Sequence, residues 1–442
     1  MGIPFYFASL LRAHKGITQI IKKENPIEVD VLAVDFNSLI HRYLKEDSPV
    51  QSVVEAFDYI LNNVCKCKTL ILALDGLVPY AKIVQQRYRR MRVKEESGTF
   101  DRNQISPGTP YMRDLENALA EKYPFAILSR TSEPGEGEHK IVLELKKMPR
   151  ESRQSICIYG LDADLILISL HNRELSNPYS MYLLRESAEF NDPSLAEAEY
   201  STLSVWGLWK ELPIAIEQYL VLSLLCFGND FMPTIGMFSL REDGYDRALH
   251  IYQEAGSPNL LKAAGRRAFL TLAAFKELDF YKERISLRKR PEEKAVFGKD
   301  SSLFAKKYRL HVLDGVQDIK PVVDGFWKTF YWTFSYFTKS IPPNWDWVYP
   351  YPDAPLVQDM IDHGESSKVP DAELTFTVTQ QLSFILPASS LRKAKRRVSY
   401  PDEPYTETRK PWMKRHDWEM KPYVSLPWNP TSPLTSVSLL TV

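Results

Sequence analysis

The sequence predicts an α/β fold with a mainly parallel central sheet flanked by helices. Three observations lead there: short apolar runs alternate with helical patterns, several of those runs end on an aspartate, and an aromatic helical region follows once the alternation stops. Val29 to Phe36 is an apolar run that delivers Asp35. Thr69 to Leu74 does the same for Asp75, and Ser155 to Tyr159 precedes Asp162 and Asp164. Phe125 to Ser129 and Tyr179 to Leu184 read as further strands. The helical patterns between them cover Val50 to Val64, Tyr80 to Lys94, Pro110 to Glu121, Glu138 to Lys147 and Ile214 to Phe227. In such sheets ligands gather beyond the carboxyl ends of the strands, and the acids fall there.

After about residue 245 the alternation ends. Residues 246–280 read as helical, Arg284 to Asp300 as a polar surface loop, and Pro321 to Phe337 as a very aromatic helix. The tail from Pro342 is rich in Pro, Trp and Tyr, and is expected to wrap over the rest. The chain therefore divides into residues 1–245 and a mainly helical, aromatic-rich second region, 246–442.

Composition narrows the class. The 442 residues are 44% hydrophobic and 25% charged, an ordinary globular balance. No apolar run reaches the roughly 18 residues of a membrane span. The start Met1-Gly2-Ile3-Pro4 lacks the basic opening and cleavage site of a secretory signal, and Pro4 argues against myristoylation. A soluble intracellular monomer is expected, in the cytoplasm ahead of the nucleus. Cys65, Cys67, Cys157 and Cys226 are too scattered for a disulfide scaffold, and Cys65-x-Cys67 reads as two reduced thiols before a strand. Basic and acidic residues number 56 each, so any footprint for nucleic acid must be local.

Seven carboxylates stand out: Asp35, Asp75, Glu136, Glu138, Asp162, Asp164 and Asp230. Each alone reads as a turn or helix-capping residue. Gathered in one place they would repel, and their desolvation would be costly unless divalent cations neutralised them. Hard oxygen donors suit Mg²⁺ or Mn²⁺. Two such ions roughly 4 Å apart can activate a water and stabilise the leaving oxygen of a phosphodiester. Next to Asp75, residues 81–94 carry six basic residues and no acid. Lys82, Gln86, Arg89 and Arg90 line one stripe of that helix, with arginine forks and a lysine suited to phosphate. A basic helix alone is more often a solvated face, but a carboxylate cluster beside it favours the phosphate reading.

Several motifs follow one another along the chain: Met1-Gly2-Ile3-Pro4, Val34-Asp35-Phe36-Asn37 with His41, Leu74-Asp75-Gly76 through Arg92, and Ser106-Pro107-Gly108-Thr109 with Tyr111-Met112. Pro134 to Lys140, Tyr159 to Asp164, Gly228-Asn229-Asp230-Phe231 with Pro233, and Trp345 to Tyr351 continue the series, with Leu386-Pro387 and Leu426-Pro427 beyond. In this order they resemble the XRN family of 5′→3′ exoribonucleases. The resemblance implies a nuclease domain like that of flap endonucleases (PIN-like), embraced by a second conserved region. It also implies that the seven acids hold the metals, and that Lys82, Gln86, Arg89 and Arg90 form a pocket for a 5′ monophosphate, too small for a cap. His41 is implied to stack on the first bases, with Trp345, or next Trp347, closing the stack; spacing does not choose between the two tryptophans. Pro79 matches a residue at the entrance to the 5′-end channel, and His139 and Lys140 read as supports of the turn.

Phe36, Tyr80, Val84 and Pro352-Asp353 depart from the family pattern, and none is a predicted ligand. The linkers are short, and the accessory domains of cytoplasmic and nuclear members lack counterparts, as in a compact catalytic core of the kind a virus could encode. The implied activity is processive 5′→3′ degradation of single-stranded RNA carrying a 5′ monophosphate, with two Mg²⁺ or Mn²⁺ ions and a decapping enzyme as an upstream partner. A structure-specific 5′ flap nuclease on DNA and a catalytically silent RNA-binding protein are the rival readings. The basic run Arg392 to Arg397 reads as a solvated turn before a nuclear signal or an RNA contact.

Overall fold

A computed structural model describes residues 2–393, apart from 4, 15, 92–99, 191–194, 196–197, 289–300, 314 and 352. Its centre is a sheet of seven strands: β1 (Thr18–Ile21), β2 (Ile27–Asp35), β3 (Cys65–Ala73), β4 (Ile127–Ser129), β5 (Ile156–Tyr159), β6 (Met181–Glu186) and β7 (Tyr200–Ser204). Their spatial order is β1-β7-β6-β5-β2-β3-β4. The pairs β2–β3, β2–β5, β3–β4 and β5–β6 are parallel, while β7 runs antiparallel to both β6 and β1. The mainly parallel sheet expected from the alternation is therefore present.

Two strands went unread in the sequence. Thr18–Ile21 is very short, and Tyr200–Ser204 is rich in hydroxyls, so neither presents an apolar run. β3 starts at Cys65, with Cys65 buried, so the two thiols lie in the strand rather than before it. β4 starts only at Ile127, after a turn in which the Ala126 amide donates to the Tyr123 carbonyl at 3.0 Å.

The helices between strands form where periodicity placed them. Pro110–Lys122 shows why: the Thr109 side chain caps its first turn and Pro110 sits where no amide donor is needed. Residues 92–94 of the basic helix lie outside the described residues, and the helix is described over Tyr80–Met91. Helix Ala263–Arg288 continues into the stretch expected as a loop from Arg284, so that expectation is corrected for 284–288.

The sheet is covered on both faces, as parallel sheets require. Along β2, Val31 and Ala33 face one apolar cluster while Leu32 and Val34 face the other. The first cluster runs from Ile3 to Met360 and takes in Phe326, Trp327, Phe330, Trp332 and Phe337 of the long helix Lys320–Lys339. One core thus crosses the boundary read at 245, which itself falls inside helix Gly244–Glu254. No described helix is long and apolar enough to cross a membrane.

A third cluster wraps the later chain onto the basic helix. Phe376, Leu382, Ile385 and Leu391 pack on Val78, Tyr80, Ile83 and Val84. Full burial of each leucine or isoleucine there is worth roughly 1.5–3 kcal/mol. Polar ties reinforce it: the Val78 amide donates to Gln381 Oε1 at 3.0 Å, and Arg87, 1% exposed, donates to the Phe384 carbonyl. Leu426-Pro427 and the rest of 394–442 lie outside the described residues.

Candidate active site

The chain runs from β2 to β3 and β4 on one side, then returns to β5 on the other side of β2. Where strand order reverses like this, the crevice at the strands' carboxyl ends is left open for a ligand. Asp35 ends β2, Asp75 follows β3, and Asp162 and Asp164 follow β5. Asp35 Oδ2 accepts from Ser38 Oγ at 2.6 Å, while its Oδ1 is buried with no partner. Asp75 Oδ1 accepts from the Gly137 amide at 2.7 Å, which ties it to the start of helix Gly137–Lys147. That close approach needs glycine: a Cβ on Gly137 would stand 2.7 Å from Asp35 Oδ1.

Glu136 precedes this helix and Glu138 lies in its first turn, with 4% and 8% exposure. Asp164 opens helix Asp164–His171, is 2% exposed, and accepts from the Ile3 amide at 2.8 Å. Asp230 follows helix Ile216–Cys226 and reaches the same place through Lys82. Lys82 Nζ lies 2.6 Å from Glu136 Oε2 and 2.7 Å from Asp230 Oδ2.

The shared burial of these acids has electrostatic consequences. Burial, then repulsion from Asp75, pushes the Asp35 carboxyl up to about 7. Burial and then Asp162, Glu136 and Asp164 raise Glu138 well above the usual carboxylate range. Asp164 is raised in the same way by burial, then Asp162 and Asp230. Glu136 is raised by burial against the opposing pull of Lys82. Asp162 goes the other way: burial opposes ionisation, but positive charge nearby, Lys82 included, draws it below its ordinary value. Lys82 is held charged well above its usual range, because Asp230 and Glu136 outweigh its burial.

Among the described residues, no three His, Cys, Asp or Glu side chains already stand around one point as metal ligands. The Lys82 ammonium stands between two of the acids, Glu136 and Asp230. The donor set nevertheless fits a hard divalent cation. It is all carboxylate oxygen, largely buried, mutually repelling, and includes the orphaned Asp35 Oδ1.

The predicted phosphate stripe is only partly assembled. Lys82 points into the acids, and Gln86 is buried, one turn along, with Oε1 unpartnered. Arg90 turns to the neighbouring segment, donating to the carbonyls of Ile105 (2.7 Å) and Arg102 (3.1 Å). The Arg89 side chain lies outside the described residues. His41 is exposed near the end of helix Phe36–Tyr43. Trp345 is half-buried against Phe376, and its carbonyl accepts from the Tyr80 amide at 2.8 Å, at the start of the basic helix. Trp347 is fixed by its indole N–H, which donates to Thr329 Oγ1 at 3.1 Å.

Several residues around the acids were not singled out from sequence. Tyr336 donates to Glu136 Oε1 and stacks on His139 with ring centroids 3.8 Å apart. Its aromatic helix was legible, but nothing marked this one hydroxyl. Arg185, 3% exposed, donates to the Asp162 carbonyl at 2.7 Å from β6, without any signal in its strand. Lys140, by contrast, was read from sequence as a support of the turn, and it spans three backbone carbonyls behind Asp75, those of Leu74 and Arg130 at 2.7 Å and Glu133 at 3.3 Å.

This is an α/β protein with an acidic crevice at the switch point of a parallel sheet. The family model described as XRN 5'-3' exonuclease N-terminus matches residues 1–99 and 92–187. The chain is 28% identical over 357 residues to 5'-3' exoribonuclease 2 of Saccharomyces cerevisiae, covering 57% of this chain and 35% of that protein. To 5'-3' exoribonuclease 1 of Schizosaccharomyces pombe it is 24% identical over 416 residues, 78% of this chain and 30% of that one. The chain thus spans about a third of the length of the curated relatives it matches. The catalytic core of Rad2 in complex with DNA substrate is a distant structural likeness, with TM-score 0.38 and 14% identity, covering 80% of this chain and 91% of that one.

Proposed function

We propose that this chain is a divalent-metal-dependent 5′→3′ exoribonuclease acting on single-stranded RNA with a 5′ monophosphate. The observation that carries the reading is the convergence of Asp35, Asp75, Glu136, Glu138, Asp162, Asp164 and Asp230 on one buried crevice, with Lys82 of the basic helix inside it. The names of the relatives support RNA as the substrate.

Bound Mg²⁺ or Mn²⁺, two ions in this reading, supplies an activated water and charge stabilisation at the scissile phosphate. The seven carboxylates are the residues available to hold it. Lys82, Gln86, Arg89 and Arg90 take the terminal phosphate, and His41 with Trp345 stacks on the leading bases, a sequence-blind contact. Asp35 and Glu136 are kept in position by Ser38 and Tyr336. The product is a nucleoside 5′-monophosphate, and each cut exposes a new 5′ phosphate for the same pocket, hence processivity. RNA freed of its cap by a decapping enzyme is the fitting supply.

A time course on end-labelled RNAs with 5′-phosphate, 5′-hydroxyl and capped ends, with Mg²⁺ or with EDTA, tests the proposal. Phosphorylated RNA should shorten stepwise from its 5′ end only with metal. Degradation that continues in EDTA, or cleavage of a DNA flap in preference to RNA, would overturn it.

A further inference from the structure

We propose that Lys82 and a divalent cation are alternative occupants of the acidic crevice, and that binding the cation turns Lys82 towards Gln86 and so assembles the 5′-phosphate pocket. The inference rests on the active-site reading above and adds a coupling between its two halves.

The sequence assigns Lys82 to phosphate recognition, yet its ammonium is spent elsewhere. It touches Glu136 Oε2 and Asp230 Oδ2, with both carboxylates only 5% exposed. Those oxygens are among the donors a metal would need. An oxygen bonded to a metal cannot keep a lysine ammonium at hydrogen-bond distance on the same side, and two cations that close repel strongly at low dielectric. A divalent ion brings twice the charge to the same carboxylates, so occupancy by metal expels the ammonium.

The helix provides a place for it to go. Gln86 follows Lys82 by four positions on helix Tyr80–Met91, so the two side chains share one face. Gln86 is 9% exposed and its Oε1 is buried without a hydrogen-bond donor. A buried acceptor left open is costly, and a lysine on a four-carbon stem with three donors is able to close it. Turned that way, Nζ donates to Gln86 Oε1 and keeps two N–H groups for a phosphate oxygen. The same side chain thus balances the acids when no metal is bound and grips substrate when metal is present. Metal and 5′ phosphate then bind with positive coupling although neither needs to touch the other, and linkage makes the effect reciprocal.

Binding measurements separate this from catalysis. By fluorescence anisotropy on the full chain, 5′-phosphate and 5′-hydroxyl oligoribonucleotides should bind alike in EDTA, whereas in Ca²⁺ the phosphorylated one should bind about tenfold tighter. An equal preference for phosphate in EDTA and in Ca²⁺ overturns the coupling. Calorimetric titration with Mn²⁺, without RNA, gives a second readout. Lys82→Met, which removes the competing ammonium, should bind Mn²⁺ about tenfold more tightly than the natural chain. Unchanged or weaker Mn²⁺ binding by that variant also overturns the proposal. A natural chain that binds no Mn²⁺ at all sinks the active-site reading itself, so the two failures are distinguishable.

Discussion

The Tyr336 hydroxyl donates to Glu136 Oε1 at 2.9 Å, joining residues 200 positions apart. The bond takes the aromatic helix of the later chain to the edge of the acid cluster. On its other side Glu136 meets Lys82, so both carboxylate oxygens are held. The ring of Tyr336 also covers His139, whose burial pushes its imidazole down to about 3, so the stack is neutral across the working pH range.

Tyr336→Phe keeps the stack and removes only the hydroxyl. Loss of one buried hydrogen bond should cost about 1 kcal/mol, readable by denaturant unfolding. Because Glu136 then loses the anchor on Oε1 and is positioned through Oε2 alone, kcat should fall about tenfold while the affinity for RNA stays near its natural value. A fall in stability without any change in kcat would make the hydroxyl purely architectural.

Asp164 carries two tasks, and two substitutions separate them. Its Oδ1 accepts from the Ile3 amide, and its carboxylate belongs to the repelling cluster. Both Asp164→Asn and Asp164→Ala should lower hydrolysis by at least about a hundredfold and leave RNA binding largely intact. Without metal, Asp164→Asn should melt at or above the natural protein, since it removes a buried repulsive charge yet keeps an acceptor. Asp164→Ala should be about 1–3 kcal/mol less stable than Asp164→Asn, because the Ile3 amide loses its partner. Added Mg²⁺ should raise the melting temperature of both variants less than that of the natural chain. Natural turnover by either variant would remove Asp164 from the metal-binding set.

Much of this site was legible because a strand that ends on a buried acid announces itself twice, by an apolar run and by the charge that stops it. Asp35, Asp75, Asp162 and Asp164 all follow that pattern. Glu136 and Glu138 were legible as acids in a glycine-rich turn opening a helix. The inward turn of Lys82 was not, because its spacing on the helix gives a face but not what that face meets. Arg90 shares the stripe and yet bonds to the 102–105 segment, a choice made by tertiary neighbours. Arg185 and Tyr336 reach the cluster from β6 and from the aromatic helix, where local sequence reports strand or helix and nothing of a distant partner. The unread strands β1 and β7 are short: β1 lies at the sheet edge and pairs with β7, and β7 is held between β1 and β6.

A pH effect outside the active site follows from Glu277. It is 4% exposed on helix Ala263–Arg288 and accepts from the Val357 amide at 2.9 Å, at the start of helix Val357–His363. Burial is the main cause that pushes its carboxyl up to about 8, with the Asp359 charge adding to it. Asp359 is itself paired with Arg309. The sign is set by the proton: between the unfolded value near 4.5 and about 8 the folded chain holds a proton that the unfolded chain lacks. Stability from this group is therefore fully present below about pH 4.5 and is lost as pH rises through about 8. Glu277→Gln keeps the acceptor and cannot ionise. It should match the natural protein at pH 5 and exceed it by roughly 1–3 kcal/mol at pH 8.5. Thermal melts at the two pH values check this, and a constant gap would show that ionisation plays no part.

Trp345 and Trp347 are two positions apart and should respond to truncation in opposite ways. Trp347 packs on the main core, and its indole N–H is committed to Thr329 Oγ1 of the long aromatic helix. Replacing it with alanine removes packing and the donor to Thr329 Oγ1, for a cost of about 3–5 kcal/mol. Trp345 meets Phe376 edge-on at 6.4 Å, and it is its backbone carbonyl, not its ring, that holds the Tyr80 amide. That carbonyl survives in Trp345→Ala, so the basic helix keeps its attachment while an aromatic face beside it disappears. If Trp345 is the stacking residue, its variant should weaken binding of single-stranded RNA by about 1–3 kcal/mol per stacked base at little cost in melting temperature. Trp347→Ala should do the reverse, melting early but binding RNA normally while folded. Equal loss of RNA affinity in the two variants would place neither ring in the stack.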